Sequence, residues 1–183
     1  MIRERIPYDV TLSKGHLDIC REEAEHLSRN AEKINARSNQ YSSKFSQYDA
    51  NFTAALGEFA TSSLTGIPTH FGEPYKAGRA DVGLIEVRTR SKGKEPILRL
   101  YETDRHDFSV LAVVRELSEE GAVVRLEGWC FTHQGISYGT PVGRHWKKGI
   151  EYALSTNFLH PMDTLLREHQ QAERVYKAWA DSL

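Results

Sequence analysis

The sequence has no long apolar run: nowhere does an uninterrupted hydrophobic stretch approach the ~20 residues that a membrane span requires. The opening MIRERIPYDV is charged where a secretory leader would be apolar, so a cytoplasmic protein without membrane partners is expected. Charge of one sign is equally scarce. With 24 Lys and Arg against 25 Asp and Glu, the formal net charge is −1; no global field draws the chain to a polyanion, and any such contact must be local. Cysteine is nearly absent. Cys20 and Cys130 lie far apart without metal-ligand spacing, which fits plain thiols in a reducing compartment better than a disulfide scaffold. GISYGTPVG has glycines without the spacing of a dinucleotide or P-loop turn, nothing marks a nucleophile elbow, and no solenoid or propeller period repeats.

What is present reads as one α/β domain over residues 1–183, a length that can bury a proper interior. Leu17, Cys20, Ala24, Leu27, Ala31 and Ile34 recur at helical spacing behind Ser13 as N-cap, giving an N-terminal helical arm within residues 1–44. Its narrow seam suits a homodimer through residues 13–40 or packing within the chain, and the spacing does not choose between them. Tyr41, Phe45, Tyr48, Phe52, Leu56 and Phe59 resume the period, but Ser38-Asn39-Gln40 and Ser42-Ser43 favour caps and turns, which predicts two helices meeting near residues 38–44.

A core then spans residues 45–160. Segments 84–90, 96–102, 107–115 and 122–130 read as strands, and their short connections predict antiparallel neighbours in a central mixed or antiparallel sheet flanked by helices. Residues 131–160 are rich in Gly and read as irregular. From Pro161 the spacing of Met162, Leu165, Leu166, His169, Ala172, Tyr176 and Trp179 predicts an amphipathic C-terminal helix over 161–183.

Chemistry concentrates in ADVGLIEVRTR, residues 80–90. Side chains two apart on a strand share a face, so Glu86, Arg88 and Arg90 point one way and Ile85, Val87 and Thr89 the other. The bland reading is a solvated sheet face. Against it stands Glu58, which falls beside the apolar stripe of the preceding helix. If that helix crosses the face bearing Glu86, then Glu58, Glu86 and Arg88 converge, and such carboxylates can hold Mg²⁺.

Gly57-Glu58, Asp81 and Glu86-Val87-Arg88, with Glu127-Gly128-Trp129 and LHPMDTLL further on, resemble the PD-(D/E)XK, or restriction-endonuclease-like, superfamily, and within it uncharacterised phage- or prophage-type proteins. The likeness covers about residues 45 to 167. It implies a restriction-endonuclease-like core that cleaves DNA, with Glu58, Asp81 and Glu86 holding Mg²⁺ or Mn²⁺ and the residue at position 88 positioning the attacking water. Two departures bear on it. Arg88 stands where the family has lysine, and arginine stays protonated, so it can clamp a phosphate or orient water but not act as a base. Asp81 and Glu86 on one straight strand would lie about 16 Å apart at ~3.3 Å per residue, so Gly83 has to bend the chain; otherwise Asp81 is a turn residue.

Lys76, Arg79, Arg90, Lys92 and Lys94, with Arg88, form a local basic run suited to nucleic acid. The histidines are expected at the surface or in structural roles, and Trp129 and Trp146 as anchors. The alternative to a Mg²⁺-dependent nuclease is an inactive nuclease-fold module that binds nucleic acid or protein.

Overall fold

The segment FSVLAVVREL decides the architecture. Its first seven residues are all buried, and a strand buried on both faces must lie inside a sheet covered on both sides. Val110, Ala112 and Val114 enter one core while Leu111 and Val113 enter another. Alternation along one strand thus builds two interiors.

The computed structural model describes residues 7–33, 46–72, 79–91, 93–145 and 147–182. In chain order these form β1 (Tyr8–Ser13), α1 (Lys14–Lys33), α2 (Gln47–Thr65), β2 (Ile85–Arg90), β3 (Ile97–Tyr101), β4 (Phe108–Leu117), β5 (Gly121–Phe131), α3 (Thr132–Tyr138), β6 (Thr140–His145), β7 (Gly149–Ser155) and α4 (Leu165–Ala180). A 3-10 turn over Met162–Thr164 leads into α4. Among the described residues the chain is a mixed α/β protein with two sheets and four helices, none of them long and apolar enough to cross a membrane.

The larger sheet has the order β1-β5-β4-β2, and the smaller β3-β7-β6. The antiparallel expectation holds for β4 and β5 but fails for β2 and β4, which run parallel. Short connections misled because β3 leaves the first sheet: it pairs antiparallel with β7, so β3 and the segment 102–107 form a crossover that returns the chain to the same end of the sheet. Residues 131–160, expected to be irregular, hold α3 and the β6–β7 hairpin. Its turn uses Gly149 at φ 74°, and its glycines mark that turn and a register shift between Pro141 and Gly143, not an absence of structure. Strand β1 was not foreseen either. It lies along β5, and Ser13 ends it while its hydroxyl accepts from the His16 N–H of α1 at 3.5 Å.

Leu17, Cys20 and Ala24 of α1 are buried, and the Cys20 thiol faces the Ala55 carbonyl of α2 at 3.6 Å. That part of the seam is taken up within the chain, which leaves little apolar surface on it for a dimer; Ile34 and the junction at 38–44 lie outside the described residues. Both cysteines are free and buried, and burial pushes each thiol up to about 12, as inert thiols. Trp129 anchors the C-terminal segment, its Nε1 donating to the Pro161 carbonyl at 2.9 Å and to Thr164 Oγ1 at 3.0 Å. The Glu127-Gly128-Trp129 element is a bulge. Leu111 faces Gly128 and Ala112 faces Leu126, so Glu127 is the extra residue, and Gly128 takes φ 146°.

Helix α2 begins in a reciprocal cap, Ser46 Oγ accepting from the Asp49 N–H at 3.1 Å and Asp49 accepting from the Ser46 N–H at 3.1 Å. It packs on β2 at Gly57, where a Cβ would run into the Thr89 hydroxyl. The glycine lets helix and strand close up. Gly57→Ala is therefore expected to cost about 1–3 kcal/mol as overpacking, despite the better helix propensity of alanine. Adding Thr89→Ala should recover part of that loss. Urea unfolding of the parent and the two variants measures both, and an unchanged midpoint for Gly57→Ala would refute the close approach.

Candidate active site

Strand β2 is an edge strand, so alternate N–H groups along it face outward without a ladder partner. The chain just before it supplies those partners. Val82 and Ile85 exchange backbone hydrogen bonds at 3.0 and 2.8 Å around Gly83 and Leu84, and Asp81 Oδ2 accepts from the Val87 N–H at 2.8 Å. Gly83, at φ 58°, makes the reversal; a Cβ there would lie 2.7 Å from His169 Nε2 and 2.8 Å from Ile67 Cγ2. The bend expected at Gly83 is present, and it sets Asp81 against Val87, between Glu86 and Arg88 in sequence.

His169, buried on α4, holds the turn from outside, its Nε2 accepting from the Leu84 N–H at 3.2 Å. Burial lowers its pKa, which keeps the imidazole in the neutral form that acceptance requires.

The anticipated packing of α2 is corrected. It does not cross the face bearing Glu86; it follows the apolar side chains, with Ile85 and Val87 in the same core as Ala55, Leu56 and Ala60. Glu86 and Arg88 project from the opposite face, where the parallel register sets them beside Ser109 and Leu111. The carboxylates come from different sides of β2: Glu58 from the helix side, Asp81 at the edge, Glu86 from the far face. Glu58 feels the charges of the other two, and Asp81 feels that of Glu86. Burial first, then the charges of Asp81, Glu86 and Glu23, holds the Glu58 carboxyl well above the usual carboxylate range. Burial and the charge of Glu86 push Asp81 up to about 7 against the pull of the Val87 N–H, Arg88 and Lys148.

The far face is not a solvated one. The side chains of Glu86 and Arg88 are 12% and 21% exposed, because the crossover and the second sheet lie over them. Arg88 Nη1 pairs with Glu86 Oε1 at 3.1 Å, and Arg88 Nη2 reaches both oxygens of Asp104 at 3.1 and 3.0 Å. Burial disfavours the guanidinium charge, yet Glu86 and Asp104 outweigh it and hold its pKa above the ordinary value. Glu86 Oε2 meets His106 Nε2 at 3.1 Å. Asp104 also accepts from the Tyr101 N–H at 2.9 Å, and the Arg88 guanidinium lies 5.5 Å from the centre of the Tyr101 ring.

Of the residues singled out in the sequence, Arg88 pairs with Glu86, whose charge reaches Asp81 and Glu58; Asp104, Tyr101 and Lys148, which stand beside this group, were not among the candidates, and His106, expected at the surface or in a structural role, lies against Glu86. The charged sequence DRHD was a signal, although only the β3–β7 pairing shows which way it faces. Of the basic run, Lys76 and Lys92 lie outside the described residues, Arg79 shares a 2.7 Å contact with His70 Nδ1, Arg90 keeps its Nε buried without a hydrogen-bond partner, and Lys94 is exposed. Among the described residues, no group of three or more His, Cys, Asp or Glu side chains is arranged so that it could hold a metal ion as it stands. Both Glu86 oxygens are engaged by cationic or imidazole partners.

Comparison with protein-family models, with curated proteins and with solved structures gives no match.

The buried acids set a pH dependence. Asp81 keeps its proton in the fold up to about 7, against an ordinary value of 3.8. Its contribution to stability is therefore full below 3.8 and is lost as pH rises towards 7. Asp81→Asn keeps an acceptor for the Val87 N–H and removes the charge. Without divalent ions, its melting temperature relative to the parent chain should rise between pH 4 and pH 8; a gap that narrows over that range would contradict the assignment.

Proposed function

We propose that the chain is a Mg²⁺-dependent hydrolase of DNA phosphodiester bonds, with Glu58, Asp81 and Glu86 as the metal-binding carboxylates. One observation carries this reading: Glu58 of a helix and Asp81 of a turn are buried near the charge of the strand residue Glu86, so that burial and repulsion oppose ionisation of the first two, and a hard divalent cation relieves both. The donor set suits such a cation, since all three groups offer oxygen. The bound ion would supply Lewis-acid polarisation of a phosphate oxygen and a water of lowered pKa. Within the chain, the Val87 N–H fixes one Asp81 oxygen, leaving its partner for a ligand role. Arg88, paired to two carboxylates, orients Glu86 as a positioning residue and is not the group that meets substrate. His106 on Glu86 Oε2 is the partner that has to give way when Glu86 turns to a cation.

A second reading, an inactive nuclease-fold module that binds nucleic acid or protein, draws on a specific observation as well: Glu86 is already satisfied by Arg88 and His106. The two readings part on metal dependence. Titration calorimetry with Mn²⁺ should give heat for the parent chain and none for Glu86→Ala, and cleavage of plasmid and of single-stranded DNA in Mg²⁺ should fall by roughly 10²-fold or more in that variant. A parent chain that binds neither ion at millimolar concentration ends the nuclease reading and leaves the binding module.

A further inference from the structure

With Arg88 engaged by Glu86 and Asp104, the acids around β2 still need a positive group free to meet a polyanion. The smaller sheet delivers one. The β6–β7 turn bends back over the segment that follows β3: Thr103 Oγ1 donates to the Lys148 carbonyl at 3.1 Å, the Ile150 N–H donates to Glu102 Oε2 at 3.0 Å, and the Glu102 N–H donates to the Ile150 carbonyl at 2.8 Å. The Lys148 N–H donates to His145 Nδ1 at 3.2 Å. Each of these bonds uses the backbone of the turn, so the Lys148 side chain is not needed to hold it.

That side chain lies on the Tyr101 ring, its Nζ 4.8 Å from the ring centre. The same ring carries the Arg88 guanidinium at 5.5 Å. Lys148 therefore stands one aromatic ring from the group paired with Glu86, and its charge reaches Asp81. Unlike Arg88, it has no carboxylate within ion-pair distance among the described residues. An aromatic face holds a cation without consuming its hydrogen-bond donors, and an ammonium with three rotatable donors is a point-charge binder of phosphate.

We propose that Lys148, carried in by the β6–β7 turn, is the substrate-contacting cation beside Tyr101 and grips a backbone phosphate of the nucleic acid, in place of the pinned Arg88. The inference rests on the reading above for its ligand class, a phosphodiester. It replaces the basic run at residues 76–94 with a group from a different sheet.

The test uses the full chain and two readouts, one of which needs no metal. In EDTA, fluorescence anisotropy with a labelled DNA duplex is followed against salt for the parent, Lys148→Met, Lys148→Arg and, as a charge control on the last turn of α4, Lys177→Met. Methionine keeps the apolar stem on Tyr101, and thermal melting checks that each variant is folded. Loss of one phosphate contact predicts that Lys148→Met reduces the log–log salt slope by about 1, with Lys148→Arg and Lys177→Met close to the parent. In Mg²⁺, Lys148→Met should lower the cleavage rate by roughly 10²-fold while Mn²⁺ affinity stays that of the parent. A parent that cleaves, with Lys148→Met matching it in slope and rate, overturns the inference and leaves the nuclease reading standing. A parent that neither binds Mn²⁺ nor cleaves, while the slope change is still specific to Lys148, sinks the nuclease reading and keeps the phosphate grip. Equal slope changes for the positions 148 and 177, or a parent that binds no DNA, overturn the grip.

Discussion

The two-sided burial of β4 is the constraint from which the remainder follows. A strand with apolar side chains on both faces needs a cover on each, and helices α1, α2 and α4 supply only one. The other cover is the smaller sheet, whose Leu98, Leu100 and Leu154 close on Leu111 and Val113. To build that cover, the chain has to leave the first sheet after β2, form β3, and come back as β4. The return segment, residues 102–107, then passes over the charged face of β2. Hydrophobic packing thus brings Asp104 and His106 to Glu86 and Arg88, although none of the four is itself part of either core.

Charge around β2 is arranged by sign. On one side, burial and the neighbouring carboxylates push the pKa values of Glu58 and Asp81 up. Positive groups share the Tyr101 ring on the far side, one locked into ion pairs and one not. A buried guanidinium between two carboxylates is held firmly because removing either partner would strand the others without compensation. An ammonium on a ring is held loosely. That difference in restraint, more than the difference between arginine and lysine as such, separates the structural cation from the one available to a ligand.

Period carried most of what could be read from the sequence. Alternation located β2, β4 and β5 to within about two residues, and the helical spacing of Leu17, Cys20 and Ala24, or of Met162, Leu165 and His169, identified the faces that are in fact buried. Gly83 was legible as a bend because a straight chain could not join Asp81 to Glu86. Pairing was not legible. The parallel register of β2 and β4 depends on β3 finding β7 more than fifty residues later, and no local pattern encodes that partner. The contacts of Asp104 with Arg88, of His106 with Glu86 and of Lys148 with Tyr101 were not legible for the same reason, since they exist only after the second sheet forms. The glycines of residues 131–160 hid a hairpin because hairpins need glycine at turns and bulges as much as loops do.

The turn that folds Asp81 back is clasped by His169, which follows it in the chain by more than eighty residues. A nascent polypeptide leaving the ribosome at ordinary elongation rates, about 5–20 residues per second, exposes Gly83 several seconds before His169 emerges. During that interval the helix α2 and the first strands can form, and the turn with its Asp81–Val87 bond stands without its outer contact on Leu84. The turn's outer contact is thus made late in synthesis, after both sheets have their strands.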